Sequence, residues 1–162
     1  MGTDDDHRSD ALIASNRKAR HDYTILDVVE AGIVLLGSEV KSARAGQVQL
    51  ADAYAHVVNG ELWLEGMHIA PYQFAVGMGS HEPVRRRKLL LHADQIRRLN
   101  ERMAKERLTL VPLEVRFRRG RVKVDLALAK GRQKADRRQA IAKKESELEM
   151  RRAQGRARKA AE

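Results

Sequence analysis

Side chains able to do chemistry are scattered through this 162-residue chain without the spacings that catalysis needs. There are six histidines: His7, His21, His56, His68, His81 and His92. No two stand four residues apart, the helical spacing that aims two imidazoles at one zinc ion. Cysteine is absent, which removes thiolate metal sites, disulfides and sulfur nucleophiles. The glycines of AVGMGS, residues 75–80, lack the lysine that follows a phosphate-binding loop. No nucleophile elbow is present. The chain is therefore expected to be a binding protein, with no catalytic residue, metal or cofactor.

What remains is positive charge. The net charge is +10, with 32 Lys and Arg against 22 Asp and Glu. Residues 1–129 contribute +3 of it and residues 130–162 contribute +7. Such a balance favours polyanionic partners, nucleic acid before anionic membrane. Three short runs concentrate it: NRKARHDY (16–23), RRRK (85–88) and GRQKADRR (131–138). Each alone is most often a solvated charge run; three together point to RNA, whose phosphates Arg and Lys neutralise. Only 4% of residues are aromatic. That disfavours stacking platforms for single strands and favours recognition of a folded RNA by shape and backbone. Glu30 stands out among these cations. It is either an ordinary residue of an EAG turn, an acceptor for base edges, or a holder for a neighbouring Arg or Lys.

The elements that must position these residues are mostly short strands. YTILDVV (23–29) reads as a strand, EAG as a turn and IVLLG (33–37) as a second strand. SEVKSARAG (38–46) reads as a short helix, capped by Ser38 and ended by Gly46. VQLADAYAHVV (48–58) and ELWLEGMHIA (61–70) pair across Asn59-Gly60, a two-residue hairpin signal. Residues 71–87 form a long loop. LLLH then leads into a helix in which Ile96, Leu99 and Met103 share one face. VPLEVRF and VKVDLALA flank RRGR as a hairpin, with Leu113, Val115 and Phe117 on one face and Val122, Val124, Leu126 and Leu128 alternating opposite them. The fold class is thus mainly β: a six-stranded barrel of the oligonucleotide-binding (OB) type with flanking helices. The expected division is a flexible N-terminus over 1–14, the RNA-binding barrel over 15–129 and a basic tail over 130–162. The tail's apolar stripe is thin, so it is expected to be disordered or loosely helical when free. The acidic start MGTDDDHRSD and the lack of a long apolar run predict a cytoplasmic protein with no membrane partner.

Read together, NRKARHDY (16–23), EAGI (30–33), GSEVKSARAG (37–46), PVRRRKLLLH (83–92), VPLEVRF (111–117) and LALAKGRQKADRR (126–138) resemble the SmpB family. These are the protein partners of transfer-messenger RNA in bacterial ribosome rescue. The resemblance implies an OB barrel that binds the tRNA-like domain of that RNA as a monomer and fills the volume of its missing anticodon arm. It implies a tail that enters the empty mRNA channel of a stalled 70S ribosome near the small-subunit decoding centre and folds there. By position it assigns RNA contacts to Asn16, Arg17, Lys18, His21, Glu30, Lys41, Arg44, Arg87 and Lys88. It assigns the ribosomal step to Lys130, Gly131, Arg132, Lys134, Asp136, Arg137 and Arg138. Ala135 departs from the histidine or tyrosine usual before that aspartate. Two other readings stand beside this one: a generic barrel-type RNA-binding or ribosomal protein, and a metal-free nuclease using His21 and Glu30 as a proton-transfer pair.

Overall fold

The computed structural model describes residues 10–72, 81–132 and 134–160, the last without side-chain detail over 134–141. The chain divides into two units, residues 1–131 and 132–162. In the first unit the strands are β1 (Ala11–Ser15), β2 (Tyr23–Ile33), β3 (Val48–Gln49), β4 (Tyr54–Val58), β5 (Glu61–Glu65), β6 (His68–Ile69), β7 (Arg87–Leu90), β8 (Thr109–Arg118) and β9 (Arg121–Gly131). The helices are α1 (Arg17–Asp22), α2 (Gly37–Arg44) and α3 (Ala93–Glu106). The second unit is one helix, α4 (Lys134–Ala160), and its side chains over 142–160 are all exposed.

Six strands close into a ring in the order β8-β4-β5-β7-β2-β9, with β9 pairing back onto β8. All pairings are antiparallel. Closure leaves β8 an edge only beyond its contact with β4 at Leu110, and β1 covers that edge over Glu114–Phe117. β1 and the small β3–β6 pair lie outside it. The hairpin at Asn59-Gly60 has φ of 50° and 77°, the left-handed pair that a two-residue turn requires. Arg119-Gly120 repeats it with 52° and 72°. At Gly66 a Cβ would come within 2.5 Å of the Asp52 carbonyl oxygen, so the end of β5 can turn past that backbone only without a side chain.

Inward residues of the ring form one core with Leu62, Leu64, Leu89, Leu110, Val115, Val124, Leu126 and Leu128 at its centre. Ala43 of α2 and Ile96 and Leu99 of α3 belong to it. A second, smaller cluster lies on the outer face: Ala19 of α1 packs over Val111, Leu113, Ala127 and Ala129. The two alanines of β9 are small because the helix lies on them.

Four expectations are corrected. Residues 23–33 are one strand, not strand, turn and strand, because β9 pairs with them from Tyr23 through Gly32. Glu30 is therefore a mid-strand residue. Leu113 leaves the face of Val115 and Phe117, since the register shifts between Pro112 and Glu114 and such a bulge turns one extra residue outward. Residues 11–15 are a strand and not a flexible lead, held by the outer edge of β8. The strand expected over 48–58 is two, broken by a turn at Ala51-Asp52. The expected loop over 71–87 falls partly outside the described residues, as does the start of the N-terminal segment.

A buried ion pair anchors α2 to the ring. Glu39 and Arg87 are both fully buried, and Arg87 Nε donates to Glu39 Oε2 at 2.5 Å. The other Glu39 oxygen accepts from Arg85 Nη2 at 2.5 Å and from the Leu36 N–H at 2.8 Å. That last bond caps α2 in the place expected for Ser38, whose hydroxyl instead meets His81 Nδ1 at 2.8 Å. The remaining Arg87 donors reach the carbonyls of Met67, Arg85 and Pro83 at 2.7–3.1 Å.

Removing Arg87 leaves one oxygen of the buried Glu39 without its partner, the other still held by Arg85 and Leu36, and breaking a buried pair typically costs up to ~3–5 kcal/mol. Arg87→Ala is therefore expected to lower unfolding free energy by about that much in urea melts followed by Trp63 fluorescence. Burial raises the Glu39 carboxyl, but the bonds from Arg85, Leu36 and Arg87 outweigh it and hold it below the ordinary glutamate range. A carboxylate depressed on folding stabilises the protein above its unfolded pKa and loses that contribution as pH falls through the folded one. The measured stability should thus decline below about pH 4.3, more steeply in the native chain than in Glu39→Gln.

Candidate nucleic-acid interface

The first basic run is the α1 helix and its cap. Asn16 is almost fully buried. Its Oδ1 accepts the Ala19 N–H at 3.1 Å, and its Nδ2 donates to the carbonyls of Leu50 and Pro112 at 3.1 and 2.9 Å. No donor is left for RNA, so the expected contact at Asn16 is corrected to a structural staple that fixes α1 on the barrel. The staple presents the rest of the run outward. Arg17, Lys18, Arg20 and His21 are exposed. Lys18 Nζ lies 3.3 Å from Asp52 Oδ1, and His21 Nδ1 lies 3.0 Å from Asp22 Oδ1.

The second run obeys strand alternation. Arg87 points inward to Glu39 and is likewise corrected from an RNA contact to a core residue. Burial pushes its guanidinium down from the usual arginine value, with the Glu39 contacts opposing; arginine starts so high that it stays charged. Its neighbours face out. Lys88 Nζ lies 3.3 Å from Glu61 Oε1, and Arg86 lies 4.2 Å over the Trp63 ring. On α2, Lys41 and Arg44 are exposed and rest against Tyr72 and Phe117, 5.4 and 5.6 Å from the ring centres.

Glu30 lies on the outer wall made by β2, β9 and β8. Cross-strand partners set the wall's content: Glu30 opposite Asp125 opposite Glu114, and Gly32 opposite Lys123 opposite Arg116. Arg118 pairs with Arg121 at the hairpin end. Arg118 Nη1 donates to Glu30 Oε2 at 2.5 Å. A cleft of about 800 Å³ beside it is lined by Glu30, Arg118, Arg119, Arg121, Lys123 and Asp10. Burial pushes the Asp125 carboxyl up; Arg116 pulls it back, and the Glu30 and Glu114 charges add to the rise.

The structure brings Arg20 and Glu30 onto this wall together with Arg116, Arg118, Arg121 and Lys123, which the sequence reading passed over as a hairpin. Their signal was available: with Val115 and Phe117 inward, Arg116 and Arg118 must point outward. Lys130 and Gly131 close β9 against Thr24 and Tyr23, so the strand runs two residues past the expected break at 129, and Arg132 follows, exposed. The side chains of Lys134, Asp136, Arg137 and Arg138 lie outside the described residues. Among the described residues no group of His, Cys, Asp and Glu could hold a metal ion. His21 ends α1 just before β2, and Glu30 lies mid-strand; the seven residue steps from Tyr23 to Glu30 span roughly 20 Å at ~3.3 Å per residue, so the two cannot exchange a proton.

A family model described as SmpB protein matches residues 13–156. An SsrA-binding protein of Desulforudis audaxviator is 52% identical over 141 residues, covering 87% of this chain and 92% of that one. One of Mycolicibacterium smegmatis is 53% identical over 145 residues, covering 90% and 89%. A chain in the solved structure "tmRNA-SmpB: a journey to the center of the bacterial ribosome" superposes with a TM-score of 0.66 at 44% identity, covering 81% of this chain and 94% of that one.

The staple at Asn16 makes its own prediction. Asn16→Asp keeps the cap acceptor and loses both donations to Leu50 and Pro112; the Leu50 carbonyl keeps its bond from the Ala53 N–H, so the cost is two lost hydrogen bonds, roughly 0.5–1.5 kcal/mol each. Thermal melts should shift down. Adding salt, which weakens phosphate contacts, should leave that shift unchanged.

Proposed function

The chain belongs to the SmpB protein family, and on that premise we propose that it binds the tRNA-like domain of transfer-messenger RNA and delivers that RNA to stalled ribosomes for trans-translation. The observation that carries the reading is the length of the match: residues 13–156 take in the barrel and most of α4. The basic wall and the cations of α1 and α2 support a folded, polyanionic partner. Among the described residues no helix is long and apolar enough to cross a membrane. A factor that works on bacterial ribosomes works in the cytoplasm. The protein acts as a binding factor and not as an enzyme.

In this reading the barrel acts as a monomer and takes the place of the missing anticodon arm. Arg17, Lys18, His21, Lys41, Arg44 and Lys88 reach RNA directly, while Asn16 and Arg87 hold the elements that carry them. The tail probes the mRNA channel, with Lys130, Gly131, Arg132, Lys134, Asp136, Arg137 and Arg138 leading it in. Leu148 and Met150 of α4 are exposed, as is every described side chain of the helix over 142–160, and a face without a partner gains no stability from packing. Its stabilising surface is then ribosomal RNA in the channel. A vacant channel is what admits it.

Two measurements separate this from a generic RNA-binding protein. In pull-downs from bacterial lysate, transfer-messenger RNA should dominate over bulk ribosomal RNA. A chain ending at Gly131 keeps the whole barrel core and should still bind that RNA, losing ~1–2 kcal/mol of long-range attraction. It should fail to support peptide tagging on stalled ribosomes. Tagging at the full rate without residues 132–162 would rule out the channel-probing role.

A further inference from the structure

The carboxylates of the basic wall are arranged with the arginines above them. Glu30, Asp125 and Glu114 lie side by side across β2, β9 and β8, and each meets an arginine. Arg118 Nη1 donates to Glu30 Oε2 at 2.5 Å. Arg116 Nη2 donates to Glu114 Oε2 and lies 3.6 Å from Asp125 Oδ2. Arg20 Nη2, arriving from α1, lies 3.6 Å from Glu114 Oε1. In every pair the carboxylate is the more buried partner: 32% exposed against 49% for Glu30 and Arg118, 21% against 51% for Glu114 and Arg20, and 22% against 33% for Asp125 and Arg116.

A guanidinium has five N–H donors in a rigid fork. Each of these contacts occupies one nitrogen, and Arg20 and Arg118 remain about half exposed. A carboxylate beneath the fork fixes its direction without covering its outer side. The alternative, that Glu30 accepts bonds from RNA itself, requires the Arg118 contact to break first and a carboxylate to approach phosphates.

We infer that Glu30, Asp125 and Glu114 are a positioning row that holds Arg118, Arg116 and Arg20 aimed at the phosphate backbone of the bound RNA, Glu30 acting through Arg118 and not by touching RNA. This rests on the transfer-messenger RNA reading above. It makes Arg118, Arg116 and Arg20 direct phosphate contacts and gives a negative residue a favourable role in binding a polyanion.

The test is a double-mutant cycle on full-length protein with a transfer-messenger RNA transcript, binding being measured across a salt series. Glu30→Gln should weaken binding roughly 10-fold although it removes a negative charge. Its salt slope should become shallower, because an untethered Arg118 neutralises its phosphate less fully; a merely structural role would not move that slope. Arg118→Ala should also weaken binding and shift the slope by about 0.9, with Arg118→Lys recovering part of the loss. The double variant should bind no worse than Arg118→Ala alone, and thermal melts of all four should coincide. Losses that multiply in the double variant, or tighter binding by Glu30→Gln, would overturn the positioning role while leaving the RNA reading intact. If the unmodified chain fails to bind the transcript, the RNA reading falls and takes this inference with it.

Discussion

β8 is hydrogen-bonded to β9 along most of its length and to β4 at Leu110, and those two pairings close the six-stranded ring. Closure fixes what every ring strand can carry. Side chains alternate between a narrow interior and the outer wall, so half of each strand must be apolar and the other half is free for recognition. Val122, Val124, Leu126 and Leu128 go in; Lys123 and Asp125 go out. The bulge at Leu113 moves that residue to the outer side, where α1 covers it. Below the bulge the wall is apolar and docks a helix. Above it the wall is charged and open.

Two kinds of charge serve this arrangement in different ways. Glu39 and Arg87 are buried, mutually satisfied and closed off from any ligand. A pair of that kind is weak evidence of net stability compared with an apolar pair, but it does not tolerate the loss of one member. Its place between α2 and β7 sets where Lys41 and Arg44 stand. The outer pairs are only partly buried, and exposed pairs contribute little to stability. Their geometry matters more than their energy, because an arginine held in one direction loses less freedom when it meets a phosphate. The same two side-chain types therefore build the scaffold at one site and an open, charged wall at the other, and burial decides which.

Much of this was legible in the chain. Asn59-Gly60, the alternation of β9 and the Ile96–Leu99–Met103 stripe of α3 announced themselves because each is a local pattern with a local cause. The failures were non-local. EAG looked like a turn because glycine and alanine carry no strand signal; only the partner strand β9 makes residues 30–32 extended. Asn16 and Arg87 were expected to touch RNA because the family resemblance assigned those positions and both stand in polar, basic runs, whose side chains are usually exposed. Their burial depends on carbonyls 34 and 96 residues away from Asn16, and on a glutamate 48 residues from Arg87. The wall of Arg20, Arg116 and Arg118 needed the register of three strands at once, which no single segment contains.

In the proposed complex, RNA meets the outer face of β2, β9 and β8 through tethered arginines. Arginine side-chain Nε–Hε resonances, assigned by substitution and followed by NMR while the tRNA-like domain of transfer-messenger RNA is added, test that contact most directly. Arg20, Arg116 and Arg118 should shift, with the buried Arg87 unmoved. Shifts confined to Arg86 beside Trp63, with Arg20, Arg116 and Arg118 unchanged, would place the RNA on the β5–β7 side of the barrel and contradict that reading.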